Sequence, residues 1–293
     1  MISRLVLGIL IFLPIGSIAG GQEILWSLLV EPGVLADHLD DHELKIVDYR
    51  RRELNFVLGH IPGAVFLPRK VAYDKVGGVT GMLPAVENVA AMLGNAGITA
   101  EDRIVIYDAS DGLWASRLFW ALEVIGHRNV HILNGGFRRW KAEGRPTSGK
   151  KPMTTPAEYT PSENKTIVAD TDWLMDHFDS AEIQIIDSRS PDEYSGVDRQ
   201  AKRGGHIPTA VNVEWMRNLT GGQRTDFLAG EDLAGIYAEE GINPEKLIVT
   251  HCQTGVRASH TYFALRLLGY KNLKVYDGSW EVWGNREDTP VEP

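Results

Sequence analysis

Short runs of aliphatic and β-branched residues recur along the chain, and between them apolar positions fall three and four residues apart. The first pattern suits buried strands and the second suits helices. In the first half, strands are expected near Ile46–Val47, Ala64–Phe66, Ile104–Tyr107 and Val130–Leu133, with helices near Val86–Gly94 and Ala115–Ile125. The second half repeats this order, with strands near Ile183–Ile186, Ala210–Val213, Leu247–Thr250 and Leu273–Tyr276 and helices near Glu231–Glu240 and Ala258–Leu268. Such alternation predicts crossover connections, hence an α/β fold in which a mainly parallel sheet carries helices on both faces. Functional residues are then expected beyond the carboxyl ends of the strands.

The halves also match residue by residue. Ala115-Ser116, Ala121-Leu122, Gly126, Asn129, Gly135 and Trp140 align without a gap to Ala258-Ser259, Ala264-Leu265, Gly269, Asn272, Gly278 and Trp283. Upstream, Lys45-Ile-Val-Asp48-Tyr-Arg50 pairs with Gln184-Ile-Ile-Asp187-Ser-Arg189, and Gly59-His-Ile-Pro-Gly-Ala64 with Gly205-His-Ile-Pro-Thr-Ala210. An internal repeat of this length means two copies of one domain. From Gly144 to about Lys165 the chain is rich in Pro, Gly, Ser, Thr and Lys with no apolar period. This reads as a linker or a surface-hugging connector. The expected layout is a first domain over 24–146, a connector over 147–164 and a second domain over 165–293.

Composition narrows the function. The 293 residues carry a net charge of −9, which argues against nucleic acid as a partner, because phosphate backbones call for clustered Lys and Arg. One cysteine rules out an intramolecular disulfide and a multi-thiolate zinc site, and no metal or cofactor is expected. Arg4 is the only charge before Glu23, Leu5 to Ile18 is nearly all apolar, and Ser17-Ile-Ala19 supplies small residues in a signal-peptidase pattern. Residues 1–20 therefore read as a cleaved secretory signal, with an uncleaved membrane anchor as the alternative. The mature protein would be periplasmic or secreted, without a membrane span. An unpaired thiol kept in an oxidising compartment points to reactivity.

That thiol, Cys252, lies in Leu247-Ile-Val-Thr-His-Cys-Gln-Thr-Gly-Val-Arg-Ala-Ser259, between a predicted strand and a predicted helix. A lone cysteine is ordinarily a small buried hydrophobe. Here the loop N–H groups at a helix start converge, Gly255 permits the bend, and Arg257 adds a full charge. Such a place favours a thiolate, which is the nucleophile.

Asp187-Ser-Arg189 with Glu193-Tyr194, Gly205-His-Ile-Pro208, the Cys252 loop and Tyr276-Asp-Gly-Ser-Trp280 resemble the rhodanese family of sulfurtransferases, specifically its tandem-domain members. The resemblance implies a first domain that has lost the catalytic cysteine and a second that keeps it. Anchoring the alignment on the strand sets Asp108 opposite Cys252, and anchoring it on the helix sets Ala109 there; neither offers a sulfur. It also implies transfer of a sulfane sulfur from a small anionic donor, thiosulfate or 3-mercaptopyruvate, to cyanide or a thiol through a Cys252 persulfide. Gln253, Thr254, Gly255 and Val256 would cradle the sulfur, and Arg189 and Arg257 would hold the donor's anionic end. The first domain would close one wall of the cleft, through Trp114 or Arg117. His60 and His206 recur in both copies and so read as structural, and His251 should point away from Cys252.

Members preferring thiosulfate often carry Arg and Lys directly after the cysteine, and those preferring mercaptopyruvate carry Gly and Ser. Gln253-Thr254 matches neither, although some bacterial tandem members with C-Q-T-x-x-R are associated with thiosulfate. A persulfide carrier that hands sulfur to a protein is a second reading. A cysteine phosphatase would need its arginine six residues after the cysteine, where Ala258 stands.

Overall fold

Each half of the chain winds a parallel sheet whose central strand ends at the loop of interest. The computed structural model describes residues 26–222, 225–228 and 230–293. The expected signal over 1–20 and the domain start at 24 lie outside the described residues.

The first half runs β1 (Leu29–Val30), α1 (Pro32–Ala36), β2 (Leu44–Asp48), α2 (Glu53–Leu58), β3 (Val65–Phe66), β4 (Asp74–Val76), β5 (Val79–Met82), α3 (Val86–Asn95), β6 (Arg103–Tyr107), α4 (Leu113–Val124), β7 (Val130–Leu133) and α5 (Gly136–Ala142). The second runs β8 (Val168–Ala169), α6 (Thr171–Met175), β9 (Ile183–Asp187), α7 (Pro191–Tyr194), β10 (Val211–Asn212), α8 (Gly230–Glu239), β11 (Leu247–His251), α9 (Val256–Leu267), β12 (Leu273–Tyr276) and α10 (Ser279–Trp283).

The sheet orders are β1-β7-β6-β2-β3 and β10-β9-β11-β12-β8, the same order when the second is reversed, and every pairing within them is parallel. The central strands β6 and β11 are almost wholly buried, as strands covered on both faces must be. The short elements at the sheet edges and the antiparallel β4–β5 hairpin carry too few residues for a readable period.

The two copies share one core. Helices α4 and α9 pack together, with Phe119 and Phe263 edge to face at 4.8 Å and Leu118, Leu122, Ala264 and Leu265 buried around them. Both helices are buried on most sides because each is covered by its own sheet and by the other helix. The connector lies along the first domain. Ser148 exchanges backbone hydrogen bonds with His60, Ser162 N–H donates to Ile125 O, and the buried Tyr159 hydroxyl meets His127 Nδ1 at 2.9 Å.

Burial also sets a pH dependence. It holds His127 and His131 below the usual imidazole value, pushes His251 down to about 4 against the pull of Asp187, and pushes His260 down to about 3. The unfolded chain therefore binds more protons between the folded values and the ordinary imidazole value of 6.5. The stability these four contribute is full above that value and is lost as pH falls through the window. Asp108, pushed up to about 6, and Glu123, also raised by burial, act in the opposite sense but are two groups against four. The melting temperature should fall steadily from pH 7 to 4.5, and less steeply in His260→Phe. A flat wild-type profile would mean these rings are not held neutral.

Candidate active site

Cys252 stands one residue past β11 and is 1 % exposed. Gly255, in the left-handed region at φ +78°, turns the loop into α9, a conformation that costs a side-chain-bearing residue about 1–2 kcal/mol. The loop is stapled to α10 from behind. Trp280 N–H donates to Cys252 O and Glu281 N–H to Gln253 O, both at 2.9 Å, while Cys252 N–H donates to Ser279 Oγ at 3.2 Å. Among the described residues, the N–H groups of Gly255, Arg257 and Ala258 meet no protein acceptor.

The first domain shows what such a loop accepts. Asp108 stands one residue past β6, in the place of Cys252, and Gly112 at φ +72° matches Gly255. The Asp108 carboxylate takes N–H bonds from Ser110, Gly112, Trp114 and Ala115 at 2.9–3.3 Å. Burial and neighbouring Asp111 raise its pKa to about 6 although these bonds favour the anion. The same amide cradle is thus filled by a carboxylate in one domain and opens onto a cysteine in the other. Strand anchoring, which sets Asp108 opposite Cys252, is the alignment the structure follows.

The domains cover each other's loops. A Cβ on Gly81 of β5 would lie 2.8 Å from Thr254 Cβ, and one on Gly112 would lie 2.6 Å from the Phe227 ring. Leu83 N–H donates to Asp277 Oδ2 at 2.8 Å, and Phe227 N–H to Asn134 Oδ1 at 3.1 Å. The expected wall from the first domain is therefore the β4–β5 hairpin. Trp114 instead carries the Arg69 guanidinium on its ring, 3.3 Å from the centroid.

Arg257 sits at the rim of the loop, its side chain 23 % exposed, and forks onto Glu193 at 2.5 and 2.8 Å. Burial disfavours the charge on Arg257, but the Glu193 bonds and nearby Cys252 outweigh it and hold its pKa above the ordinary value. Gln253 Nε2 lies between Gln200 O at 3.2 Å and Glu281 Oε2 at 3.3 Å; Val256 is buried.

Arg189, expected to contact the donor, is instead engaged at its own strand end. Its guanidinium is spent on Asp187, with Nη2 to Oδ2 at 2.5 Å and Nε to both oxygens at 3.0 Å, and on Gly205 O at 2.8 Å. It is 1 % exposed and stacks on Trp280 at 4.4 Å. Arg50 does the same with Asp48 and Gly59 O in the domain that has no cysteine. The repeat of the pair where no sulfur chemistry is available marks it as a strand-end clamp. His251 turns its Nε2 towards Asp187 Oδ2, at 3.5 Å, and Tyr107 fills that place in the first domain, donating to Asp48 at 2.7 Å. His60 and His206 stack on Phe56 and Tyr194.

Glu193, Ser279 and Asp277 belong to the site and were not singled out from the sequence, although each lies within a motif quoted for the resemblance. A thiolate in this cradle can displace a leaving group and hold the resulting anion on convergent amides, which is covalent catalysis in two steps. No group of acidic, histidine or cysteine side chains suited to a metal ion occurs among the described residues.

The Rhodanese-like domain matches this chain twice, over residues 31–143 and 170–286. The chain is 40% identical over 265 residues to a thiosulfate sulfurtransferase of Azotobacter vinelandii, covering 90% of this chain and 97% of that protein. A thiosulfate sulfurtransferase of Pseudomonas aeruginosa is 37% identical over 273 residues with the same coverage, and the sulfur carrier protein TtuD of Thermus thermophilus is 32% identical, covering 90% of this chain and 96% of that protein. Among solved structures, SseA of Escherichia coli, a 3-mercaptopyruvate sulfotransferase, superposes with a TM-score of 0.78 at 29% identity, covering 87% of this chain and 99% of that one.

Proposed function

The chain belongs to the rhodanese-like domain family, and from that membership we infer that it is a thiosulfate sulfurtransferase working through a persulfide on Cys252. The observation that carries this reading is the pair of cradles, one filled by the Asp108 carboxylate and one presenting Cys252 beneath unpaired N–H groups. The Cys252 thiolate attacks the outer sulfur of thiosulfate, the sulfur–sulfur bond breaks, and sulfite leaves with the electron pair. The terminal persulfide sulfur then rests on the amides of Gly255, Arg257 and Ala258, where developing negative charge is stabilised by dipoles already in place. Cyanide or a thiolate attacks that sulfur, and Cys252 departs as the thiolate. Arg257 holds the sulfonate end at the rim.

Incubation with thiosulfate should add the mass of one sulfur, and steady-state kinetics should show a higher kcat/KM with thiosulfate than with 3-mercaptopyruvate. The reverse order would make the protein a mercaptopyruvate enzyme. Loading without turnover on cyanide or small thiols would make it a carrier, a reading the Thermus relative supports. Arg257→Ala should lower kcat/KM for thiosulfate by about tenfold to a hundredfold, the loss of one charge-assisted hydrogen bond, with Arg257→Lys in between. An unchanged value would leave the donor to the loop amides.

The first domain carries no sulfur in this scheme. Asp108→Ala should cost about 1–3 kcal/mol, because buried donors lose their acceptor. Persulfide formation on Cys252 should persist in the folded fraction. Its complete loss there would reveal a catalytic part for Asp108.

Residues 1–20 support the further reading that the protein is exported and acts in the periplasm or outside the cell. Among the described residues no helix is long and apolar enough to cross a membrane. A mature N-terminus shortly after Ala19 is expected on sequencing, and an intact Met1 would favour the anchored alternative.

A further inference from the structure

Arg117, on α4 of the first domain, does not serve its own domain's loop. Its side chain is fully buried, yet it reaches the second domain, where Nη1 lies 2.7 Å from Asp277 Oδ1. Its Nε donates to Ala72 O at 2.7 Å and its Nη2 to Gly81 O at 2.8 Å, so the same guanidinium holds the hairpin that lies on Thr254. The other oxygen of Asp277 takes the Leu83 N–H. Gly255 stands directly against this pair. A Cβ there would fall 2.8 Å from Arg117 Nη1 and 2.9 Å from Asp277 Oδ1.

The pseudo-symmetry of the fold supplies the control. In the helix alignment His260 of α9 occupies the place of Arg117, and Asn134 that of Asp277. His260 reaches across to the first domain's loop at Asp111 O, 3.2 Å away, and Asn134 takes the Phe227 N–H. Both cross-domain contacts therefore exist, but at the positions equivalent to Arg117 and Asp277 the Asp108 side uses a buried imidazole and an amide. The ion pair that crosses there, Arg139–Asp226 at 3.4 Å, is partly exposed and lies against Gly135, not against Gly112 of the loop bend. Among the described residues, the buried pair stands only against the glycine that bends the cysteine loop.

We propose that Arg117 is a positioning residue for sulfur transfer: paired with Asp277 against Gly255, it lets the first domain set the bend of the Cys252 loop and so the convergence of its amides on the sulfur. This rests on the function inferred above and explains why a domain without a nucleophile is retained beside one that has it. A buried cation whose partner lies on the other domain also ties loop geometry to domain docking. Any shift between the domains moves Gly255, and displacements of about 1 Å at a reacting centre can cost about a hundredfold in rate.

The test uses the full chain with Arg117→Met, Arg117→Lys and Asp277→Asn. Each is checked for folding by circular dichroism and for domain docking by gel filtration. In Arg117→Met, single-turnover persulfide formation should slow by about tenfold to a hundredfold, with KM for thiosulfate within about twofold, because the residue acts through the loop and not on the donor. Iodoacetamide alkylation of Cys252 at pH 7 should slow as well, and Arg117→Lys should recover part of both rates.

Should Arg117→Met fail to fold, Asp277→Asn keeps the shape and the Leu83 bond while removing the counter-charge, and the same two rates are read. Wild-type persulfide formation and alkylation in folded Arg117→Lys and Asp277→Asn would overturn the proposal. If the wild-type protein takes no sulfur from thiosulfate, the function fails, but slower alkylation in the variants would still support the positioning role.

Discussion

Cys252→Ser abolishes sulfur transfer, by more than about 10⁴-fold in kcat, the order seen when a covalent nucleophile is removed. The chain has no second cysteine to take over. An alcohol ionises far less readily than a thiol and forms no persulfide, so neither half-reaction can proceed. The fold should be untouched, since serine nearly matches cysteine in size and its hydroxyl can accept from the N–H groups that would hold the outer sulfur. Thiocyanate production from thiosulfate and cyanide, together with intact-protein mass after thiosulfate, checks this. Retention of more than about 1% of wild-type activity, measured against that expected loss, would sink the mechanism.

Arg189→Ala should produce the largest loss of stability, about 3–5 kcal/mol, because it leaves the Asp187 carboxylate buried without its partner. Burial alone would raise Asp187, but the bonds and charge of Arg189 hold it below the usual carboxylate range, so it stays charged at neutral pH. Arg50→Ala should be destabilising by a similar amount, through Asp48 in the same arrangement. Urea unfolding at pH 7 measures both. If Arg189→Ala stays within about 1 kcal/mol of wild type while kcat/KM for thiosulfate falls tenfold or more, Arg189 binds the donor after all and the ion pair opens in catalysis.

The contrast between these arginines shows where sequence reasoning stops. Arg189 lies two residues from Asp187, whereas Arg257 has no acidic residue near it in the sequence and meets Glu193 from 64 positions away; for either, the sequence permits an ion pair or a ligand contact. A guanidinium on a flexible stem selects its partner from whatever the fold brings within reach. The structure gives Arg189 a buried fork onto Asp187 and Arg257 a partly exposed one onto Glu193. Arg117 could be named as a wall residue but not given its partner, because Asp277 comes from the other copy, 160 positions away in the sequence.

The sequence by itself determined the two-copy organisation, the parallel sheets, and the strand–loop–helix unit holding Cys252. Each of these rests on short-range regularities: the period of apolar residues, the glycine that admits a positive φ, and the covalent spacing between cysteine and helix start. Only the tertiary structure decided that Asp108 fills the first cradle, that each domain covers the other's loop, and that a buried ion pair backs Gly255 of the catalytic loop. Those outcomes depend on which side chains meet across the α4–α9 core, and no local period encodes a meeting between residues that only docking of the domains brings together.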